Sequence, residues 1–156
     1  MNSQRQKRLK AGQRGNAIIE TTLLMPWILF LFMGVFDFGF YAYALIATEN
    51  AARVAALSAA STNSPGLTCE YALGELRVLP NVGPLLAPPC PASPTATFPV
   101  AVVATLVPSG IDADASHTRP AWRVTVSYLT IPVFPLPWMA GRMTMTRTAE
   151  MRVNQD

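Results

Sequence analysis

The sequence is short of charge. Only 13% of its 156 residues are acidic or basic, about half the share that a soluble domain usually carries. Beyond residue 15 there is no lysine, and seven arginines stand against nine acids. The net charge of +3 therefore comes from a basic leader, whose charged residues are Arg5, Lys7, Arg8, Lys10 and Arg14. Basic charge confined to a leader argues against a nucleic-acid-binding face, which needs Lys and Arg clustered on a folded surface.

Residues that usually carry catalysis are also scarce. There is one histidine, His117, and there are two cysteines. The sequence has no Gly-rich phosphate loop, no paired zinc-ligand motif and no internal repeat. Because an acid–base or metal site needs several convergent side chains, we predict that the chain is not an enzyme. We likewise predict no catalytic or metal-binding residue, no cofactor and no small-molecule substrate.

What the chain has in quantity is apolar sequence. Eleven of the twenty residues 21–40 are Leu, Ile, Phe or Val, and Asp37 is the one charged residue among them. As a helix this stretch spans roughly 30 Å, the thickness of the hydrocarbon core. Its apolar side chains favour insertion by roughly 3–7 kcal/mol, which exceeds the roughly 3 kcal/mol that an acid costs. We predict one transmembrane helix over about 21–41, with the basic leader, residues 1–15, in the cytoplasm.

A cleavable secretory signal would also begin with basic residues and an apolar run. The tripeptide at 42–44, Ala-Tyr-Ala, is typical of its cleavage site. The apolar run is long for such a signal, however, and residues 42–60 continue as an Ala-rich sequence with high helix propensity. We therefore predict one long helix over residues 16–61.

Small residues line the second half of this helix. One row has a small residue at every fourth position: Ala44, Thr48, Ala52, Ala56 and Ala60. A second row beside it contains Ala47, Ala51, Ala55 and Ala59. Two adjacent rows of small side chains allow another helix to approach closely. The other interpretation is an Ala-rich helix that lies on the chain's own domain, and the sequence leaves both open.

The junction between the leader and the apolar run has a recognisable pattern. The leader ends at Gly15, a new segment starts at Asn16, and Glu20 is the fifth residue after the glycine. This arrangement resembles the type IV prepilin processing pattern. Residues 14–56 are similar to the TadE-like family, the pseudopilins of the tight-adherence (Flp) pilus system. The matching features are Gly15, Glu20, the Leu-Met-Pro step at 24–26, the Asp-Phe-Gly step at 37–39 and the Asn-Ala-Ala-Arg segment at 50–53.

The resemblance implies that a prepilin peptidase cuts after Gly15 and leaves a charged α-amine on Asn16. Glu20 lies roughly 6 Å along the helix from that amine. The family implies that this carboxylate pairs with the amine of a neighbouring subunit, and an unpaired carboxylate in apolar surroundings is costly. Glu20 is therefore expected to register subunits during assembly; the alternative is an interfacial residue among lipid headgroups. Asp37 is expected either to pair with a basic residue of a partner or to be solvated where the helix leaves the bilayer.

The exported part begins with turn-forming residues at 61–66, after which residues 68–79 have apolar side chains at helical spacing. Seven of the twenty residues 80–99 are proline, which predicts an irregular excursion. Cys69 precedes the short helix and Cys90 lies in the excursion. In a chain exported to an oxidising compartment, the two cysteines predict one disulfide between these segments.

Three later segments predict strands. Residues 98–107 are β-branched and apolar, and residues 121–128 and 143–153 alternate apolar with polar side chains. Such alternation is typical of an antiparallel sheet with one solvated face. The predicted fold class is therefore α+β, with a long N-terminal transmembrane, pilin-like helix packed on a small antiparallel sheet. Residues 62–156 form the predicted periplasmic domain.

Two functions fit these features. The first is a minor pilin or pseudopilin, processed by a prepilin peptidase, that acts in assembly of a tight-adherence pilus for surface attachment or biofilm formation. Its expected partners are the inner membrane, other pilin and pseudopilin subunits, the peptidase and the pilus assembly platform. It is expected as a single-pass protein of the bacterial inner membrane, with its C-terminal domain in the periplasm or in an extracellular pilus. The alternative is a signal-anchored or secreted periplasmic domain that serves an envelope complex.

Overall fold

The computed structural model describes the backbone of residues 3–108, 120–131 and 142–153, with side chains from residue 18 onward. The elements in chain order are α1 (Ser3–Thr62), α2 (Thr68–Leu76), β1 (Val100–Val107), β2 (Ala121–Leu129) and β3 (Thr144–Arg152). A long N-terminal helix followed by a three-stranded antiparallel sheet confirms the predicted α+β class. His117 lies outside the described residues.

Helix α1 is longer than the sequence analysis predicted, because it begins at Ser3 and not near Asn16. The leader contains no proline and is rich in Lys, Arg and Gln, which have high helix propensity. At its other end α1 finishes at Thr62 and is followed by Asn63, whose φ is 46°. This left-handed conformation commonly ends helices, and asparagine is one of the few residues other than glycine that adopts it readily.

The chain divides into two compact units, residues 1–39 and residues 40–156. In the first unit, from residue 18 onward, large apolar side chains cover all sides of the helix and are 45–76% exposed. These residues are Ile18, Ile19, Leu23, Leu24, Met25, Trp27, Ile28, Leu29, Phe30, Leu31, Phe32, Val35, Phe36 and Phe38. A helix that is apolar all round belongs in lipid or among other apolar segments.

The sheet of the second unit is a simple meander in the order β1-β2-β3. Strand β1 pairs antiparallel with β2 from the Val100–Tyr128 pair to the Val107–Ala121 pair, and β2 pairs with β3 along the full length of both strands. Because successive side chains point to opposite faces, each strand gives one face to the core and one to solvent.

The core of the second unit combines small residues of α1 with larger residues of the sheet and α2. The helix contributes Ala44, Ala47, Ala51, Ala52, Ala55, Ala56 and Ala59. The sheet side contributes Val100, Trp122, Val124, Val126, Tyr128 and Val153, and α2 contributes Cys69, Ala72, Leu73 and Leu76. Alanine on the helix brings the helix backbone close to these larger side chains, each of which stabilises the fold by roughly 1.5–3 kcal/mol when fully buried.

Residues 77–99 form neither helix nor strand and are fixed to the rest of the unit by specific bonds. The predicted disulfide between Cys69 and Cys90 is present and closes a loop with a sequence separation of 21. Next to it, the N–H of Val102 donates to the carbonyl of Pro91 at 3.3 Å. The proline-rich excursion therefore lies along β1.

A second attachment uses the amide of Asn81. Its Nδ2 donates to the carbonyl of Leu129 at 2.8 Å, and its Oδ1 accepts a hydrogen bond from the hydroxyl of Tyr128. Tyr128 is fully buried, and burial raises the pKa of its phenol to about 12. One asparagine side chain thus joins the irregular segment to both the backbone and a core side chain of β2.

Candidate functional site

The candidate site starts with the uncovered apolar helix. Within α1, the segment Ile18–Thr62 contains an 18-residue window apolar enough to cross a membrane, and only 6% of that window is buried in the protein. A core helix of a soluble domain is instead mostly covered by its own chain. The segment is therefore a candidate membrane span near the N-terminus, as expected of a single-pass membrane protein.

Pro26 interrupts the hydrogen-bond ladder inside this span. Proline has no N–H, so the carbonyl of Thr22, four residues earlier, loses its usual helical donor. The hydroxyl of Thr22 donates to the carbonyl of Ile18 at 2.8 Å and is therefore satisfied within the helix. A shallow apolar groove surrounds this point and is lined by Ile18, Ile19, Thr22, Leu23 and Pro26.

Glu20 is exposed near the start of the span. Its neighbours along the helix, Ile18, Ile19 and Leu23, are exposed apolar residues, so the carboxylate stands in an apolar surface. Glutamate in such a place is costly in lipid unless a cation pairs with it. Both expectations for Glu20 are compatible with this position. The carboxylate can pair with a cation from outside the described part of the chain, or it can lie among lipid headgroups.

Gly15 and Asn16 lie in the backbone of α1, one to one and a half turns before Glu20. Their side chains, like those of the leader residues Arg5, Lys7, Arg8, Lys10 and Arg14, are outside the described side chains. The continuous helix places the expected processing point and Glu20 on one short rod. Along the helix axis, the backbone nitrogen of Asn16, which cleavage after Gly15 converts to an amine, lies roughly 6 Å from Glu20.

Asp37 is buried, with 2% of its surface exposed. It takes part in a polar or electrostatic interaction within the chain. A solvated carboxylate at the membrane boundary, one of the two expectations, does not describe this position. A buried carboxylate needs a pairing or hydrogen-bonding partner, and pairing of Asp37 with a basic residue of a neighbouring subunit stays a prediction.

The rows of small residues are covered by the chain's own domain. Ala44, Thr48, Ala52, Ala56 and Ala60 are all buried, and so is the neighbouring row of alanines. Thr48 is accommodated because its hydroxyl donates to the carbonyl of Ala44 at 2.7 Å. The structure thus follows the second interpretation of the pattern, in which the small residues pack under the sheet and present no free stripe.

The opposite side of α1 carries an exposed stripe that the sequence analysis did not identify. Tyr43, Ile46 and Leu57 are 51–60% exposed and lie on one face of the helix, together with Asn50 and Arg53. The signal was present as apolar and long side chains at intervals of three, four and seven residues. The dominant alanine pattern on the other face obscured it.

The solvent face of the sheet is polar and internally hydrogen-bonded. Its hydroxyl and charged side chains pair across the strands and need no ligand. The pairs are Thr125–Thr148 at 3.0 Å, Ser127–Thr146 at 2.9 Å and the ion pair of Arg123 with Glu150. Among the side chains described from residue 18 onward, no group of three or more His, Cys, Asp and Glu residues is placed to hold a metal ion.

The apolar segment and its flanks match a known family. Residues 15–57 match the family model described as TadE-like protein. This segment is TadE-like. The match begins at Gly15, contains Glu20 and Asp37, and covers the exposed span and most of the covered part of α1, as far as Leu57. The resemblance seen in the sequence is therefore confirmed over these residues. No curated protein and no solved structure matched the chain. The TadE-like family indicates involvement in the tight-adherence pilus system.

Proposed function

We propose that the chain is a minor pilin or pseudopilin, a membrane-anchored structural subunit without enzymatic activity that acts in assembly of a tight-adherence pilus. The observation that carries this proposal is the TadE-like match over residues 15–57, in which an exposed apolar helix follows directly after a glycine and a basic leader. Surface attachment or biofilm formation is the resulting role in the cell.

The basic leader keeps the N-terminus in the cytoplasm, so the second unit lies in the periplasm. A prepilin peptidase then removes residues 1–15 by cutting after Gly15, and the apolar helix stays in the inner membrane. Cutting at this point leaves the span intact, because the large apolar residues begin only at Ile18. The processed subunit is passed to the pilus assembly platform.

Glu20 is the residue that we assign to subunit registration. Its carboxylate stands on an exposed apolar surface, where a cation of a neighbouring subunit relieves the cost of burial during assembly. The α-amine of a neighbouring pilin or pseudopilin, created by the same peptidase, supplies such a cation. Docking is then favourable at one axial offset and unfavourable at others.

The exposed stripe of α1 provides a lateral contact in the second unit. Tyr43, Ile46 and Leu57 are each more than half exposed and belong to the TadE-like segment. Apolar side chains on a helix face are anchors for another helix. We assign this stripe, and not the buried rows of alanine, to contact with a neighbouring subunit.

The experiment that tests this proposal is determination of the N-terminus of the membrane-extracted protein by intact mass and N-terminal sequencing. Expression in cells with and without the prepilin peptidase shows whether cleavage depends on that enzyme. The expected start is Asn16 in the presence of the peptidase and Met1 in its absence. Gly15→Leu should retain the leader, whereas the matched control Gly12→Leu, another glycine of the leader, should be processed like the wild type.

A start at Met1 in cells that contain the peptidase contradicts the proposal and favours a signal-anchored protein. A start after Ala44 contradicts it in a different way, because the TadE-like segment is then a removable secretory signal. Both outcomes support the alternative function, a periplasmic domain that serves an envelope complex.

A further inference from the structure

Strand β3 is an outer strand of the sheet, and it uses alternate residues to bond β2. The N–H of Thr130 donates to the carbonyl of Met143 at 2.9 Å, just before β3, and the N–H of Val153 donates to the carbonyl of Pro120 at 3.0 Å, just after it. In an antiparallel pair, bonded and outward-facing positions alternate. The odd-numbered residues of β3 therefore bond β2, and five residues point their backbone N–H and C=O groups outward: Thr144, Thr146, Thr148, Glu150 and Arg152.

The outer edge of β1 is already occupied in part. The N–H of Leu129 donates to the carbonyl of Pro99 at 2.8 Å. By the same alternation, the backbone N–H and C=O groups of Val102 point away from β2. Its N–H donates to Pro91 of the proline-rich excursion. Within the described residues, no backbone bond from another segment reaches the outward groups of Thr144, Thr146, Thr148 and Glu150, so this part of β3 is the open edge.

A groove of about 550 Å³ runs beside this open edge. It lies between Glu49 and Arg53 of α1 and residues 147–151 of β3. Ala149 and Met151 are partly buried and give the groove an apolar floor. An added strand would continue the sheet, with its inward side chains above α1 and its outward side chains beside the threonines.

Among the charged residues that line the groove, Arg147 is the one without a described carboxylate as its partner. Glu49 and Arg53 form an ion pair at 2.5 Å and compensate each other. Arg147 directs Nη1 to the carbonyl of Thr146 at 3.2 Å, which is an outward carbonyl of the edge, and no described carboxylate pairs with it. Glu150 also borders the groove, but its carboxylate is compensated by the ion pair with Arg123. An inward acidic side chain of an added strand therefore has Arg147 as a partner.

A second copy of the chain does not suit this edge. The inward residues of β3 are Met145, Arg147, Ala149 and Met151, so pairing with the β3 strand of a second copy brings a second arginine and no acid to the groove. The partner that matches Arg147 is therefore a strand of a different polypeptide.

We infer that the open edge of β3 accepts an extended strand of a different polypeptide, with an acidic side chain pointing inward at Arg147 and apolar side chains on either side of it. This binding uses the backbone groups of Thr148 and Glu150 and the N–H of Thr146, whose carbonyl already accepts from Arg147. It involves only the second unit and is independent of cleavage after Gly15, so it stands or falls separately from the proposed function.

The inference is tested by fluorescence anisotropy with the oxidised full-length chain in detergent micelles. The probe is a labelled peptide of sequence TVTETVT, in which the acid and two valines share one face; TVTKTVT, with lysine at the same place, is the control peptide. We expect the acidic peptide to bind about tenfold more tightly than the basic one, and Arg147→Glu to reverse this preference.

The backbone is tested at Thr148, because its N–H points outward and does not bond β2. Thr148→Pro removes that donor without removing a β2–β3 hydrogen bond, since edge positions with outward N–H groups accept proline. Thr148→Pro should lower the affinity for the acidic peptide by about tenfold. The matched Thr148→Ala loses the same hydroxyl contact to Thr125 but keeps the N–H, so it should bind the peptide like the wild type.

Hydrogen exchange of the wild-type chain gives a readout that does not depend on the folding of any variant. On addition of the acidic peptide, the amides of Thr146, Thr148 and Glu150 should gain protection, and those of Arg147 and Ala149 should be unchanged because β2 already holds them. Equal binding of the two peptides, absence of saturable binding, or protection that does not alternate along β3 overturns the inference.

Discussion

The indole Nε1 of Trp122 donates a hydrogen bond of 3.2 Å to the side-chain Oδ1 of Asn63, 59 residues earlier in the chain. Asn63 is the residue that ends α1, with a φ of 46°, and Trp122 is in β2. One bond thus ties the end of the long helix to the middle strand of the sheet. Because asparagine supplies both the left-handed conformation and the acceptor, the two contributions can be separated by substitution.

Asn63→Gly should destabilise the second unit by about 1 kcal/mol, because it removes the acceptor and keeps the conformation. Asn63→Ala should cost about 2 kcal/mol, since alanine also resists a positive φ. The free energy of unfolding from urea titration in detergent measures both. In a Trp122→Phe background the donor is gone, so Asn63→Gly should cost much less there; an equal cost in both backgrounds argues against the bond.

Loss of the disulfide should destabilise the second unit by roughly 3 kcal/mol, because Cys69 and Cys90 close a loop with a separation of 21 residues. Cys69→Ser combined with Cys90→Ser tests this by thermal unfolding. Limited proteolysis should show new cuts within residues 80–99 before any cut in the sheet. The wild type under reducing conditions should resemble the double variant, and a difference between them would falsify the assignment of the effect to the bond.

The raised pKa of Tyr128 predicts that the free energy of unfolding falls at alkaline pH. Its pKa is about 12 in the fold and 10.0 when exposed, because burial disfavours the phenolate. The unfolded chain therefore loses this proton first, and the stabilising effect, fully present below pH 10, should disappear between about pH 10 and pH 12. The loss attributable to this residue is roughly 2–3 kcal/mol. Unfolding titrations across this window, compared with Tyr128→Phe, measure it, and parallel curves for the two proteins contradict the assignment.

Glu20→Leu should abolish co-assembly with partner pilins while leaving insertion in the membrane intact or improved, because leucine is cheaper in lipid than an acid. The yield of the subunit in sheared pili, with membrane content as the reference, provides the measurement. Thr21→Leu, the neighbouring polar-to-apolar change, serves as the control and should assemble normally. Unchanged assembly of Glu20→Leu shows that the carboxylate is an interfacial residue and no registration device.

The long apolar helix and the sheet were predictable because each has a strong local pattern. An apolar run over 21–40 needs no tertiary information to exclude a soluble surface helix. In β2 the alternation of Trp122, Val124 and Val126 with polar residues predicted which face is buried, and all three are buried. The disulfide followed from composition, since two cysteines outside the span leave a single pairing.

Other features were not predictable from the sequence, because they depend on tertiary contacts between distant segments. The rows of small residues on α1 suit a neighbouring helix and the chain's own sheet equally well by sequence, and only the fold shows that the sheet covers them. The role of Asn81 depends on contacts with Tyr128 and Leu129, 47 and 48 residues away. The start of α1 at Ser3 depends on continuation of the helix through Gly12 and Gly15, where local propensity is low.

The position of Cys90 directly before Pro91 links thiol chemistry to the exposure of β1. While the cysteines are reduced, the excursion is tethered less tightly, and the N–H of Val102 is freer to meet another chain. The disulfide therefore holds Pro91 against the N–H of Val102 and covers that part of the β1 edge. We expect the reduced chain to aggregate more readily than the oxidised one, because an uncovered strand edge can pair with another chain.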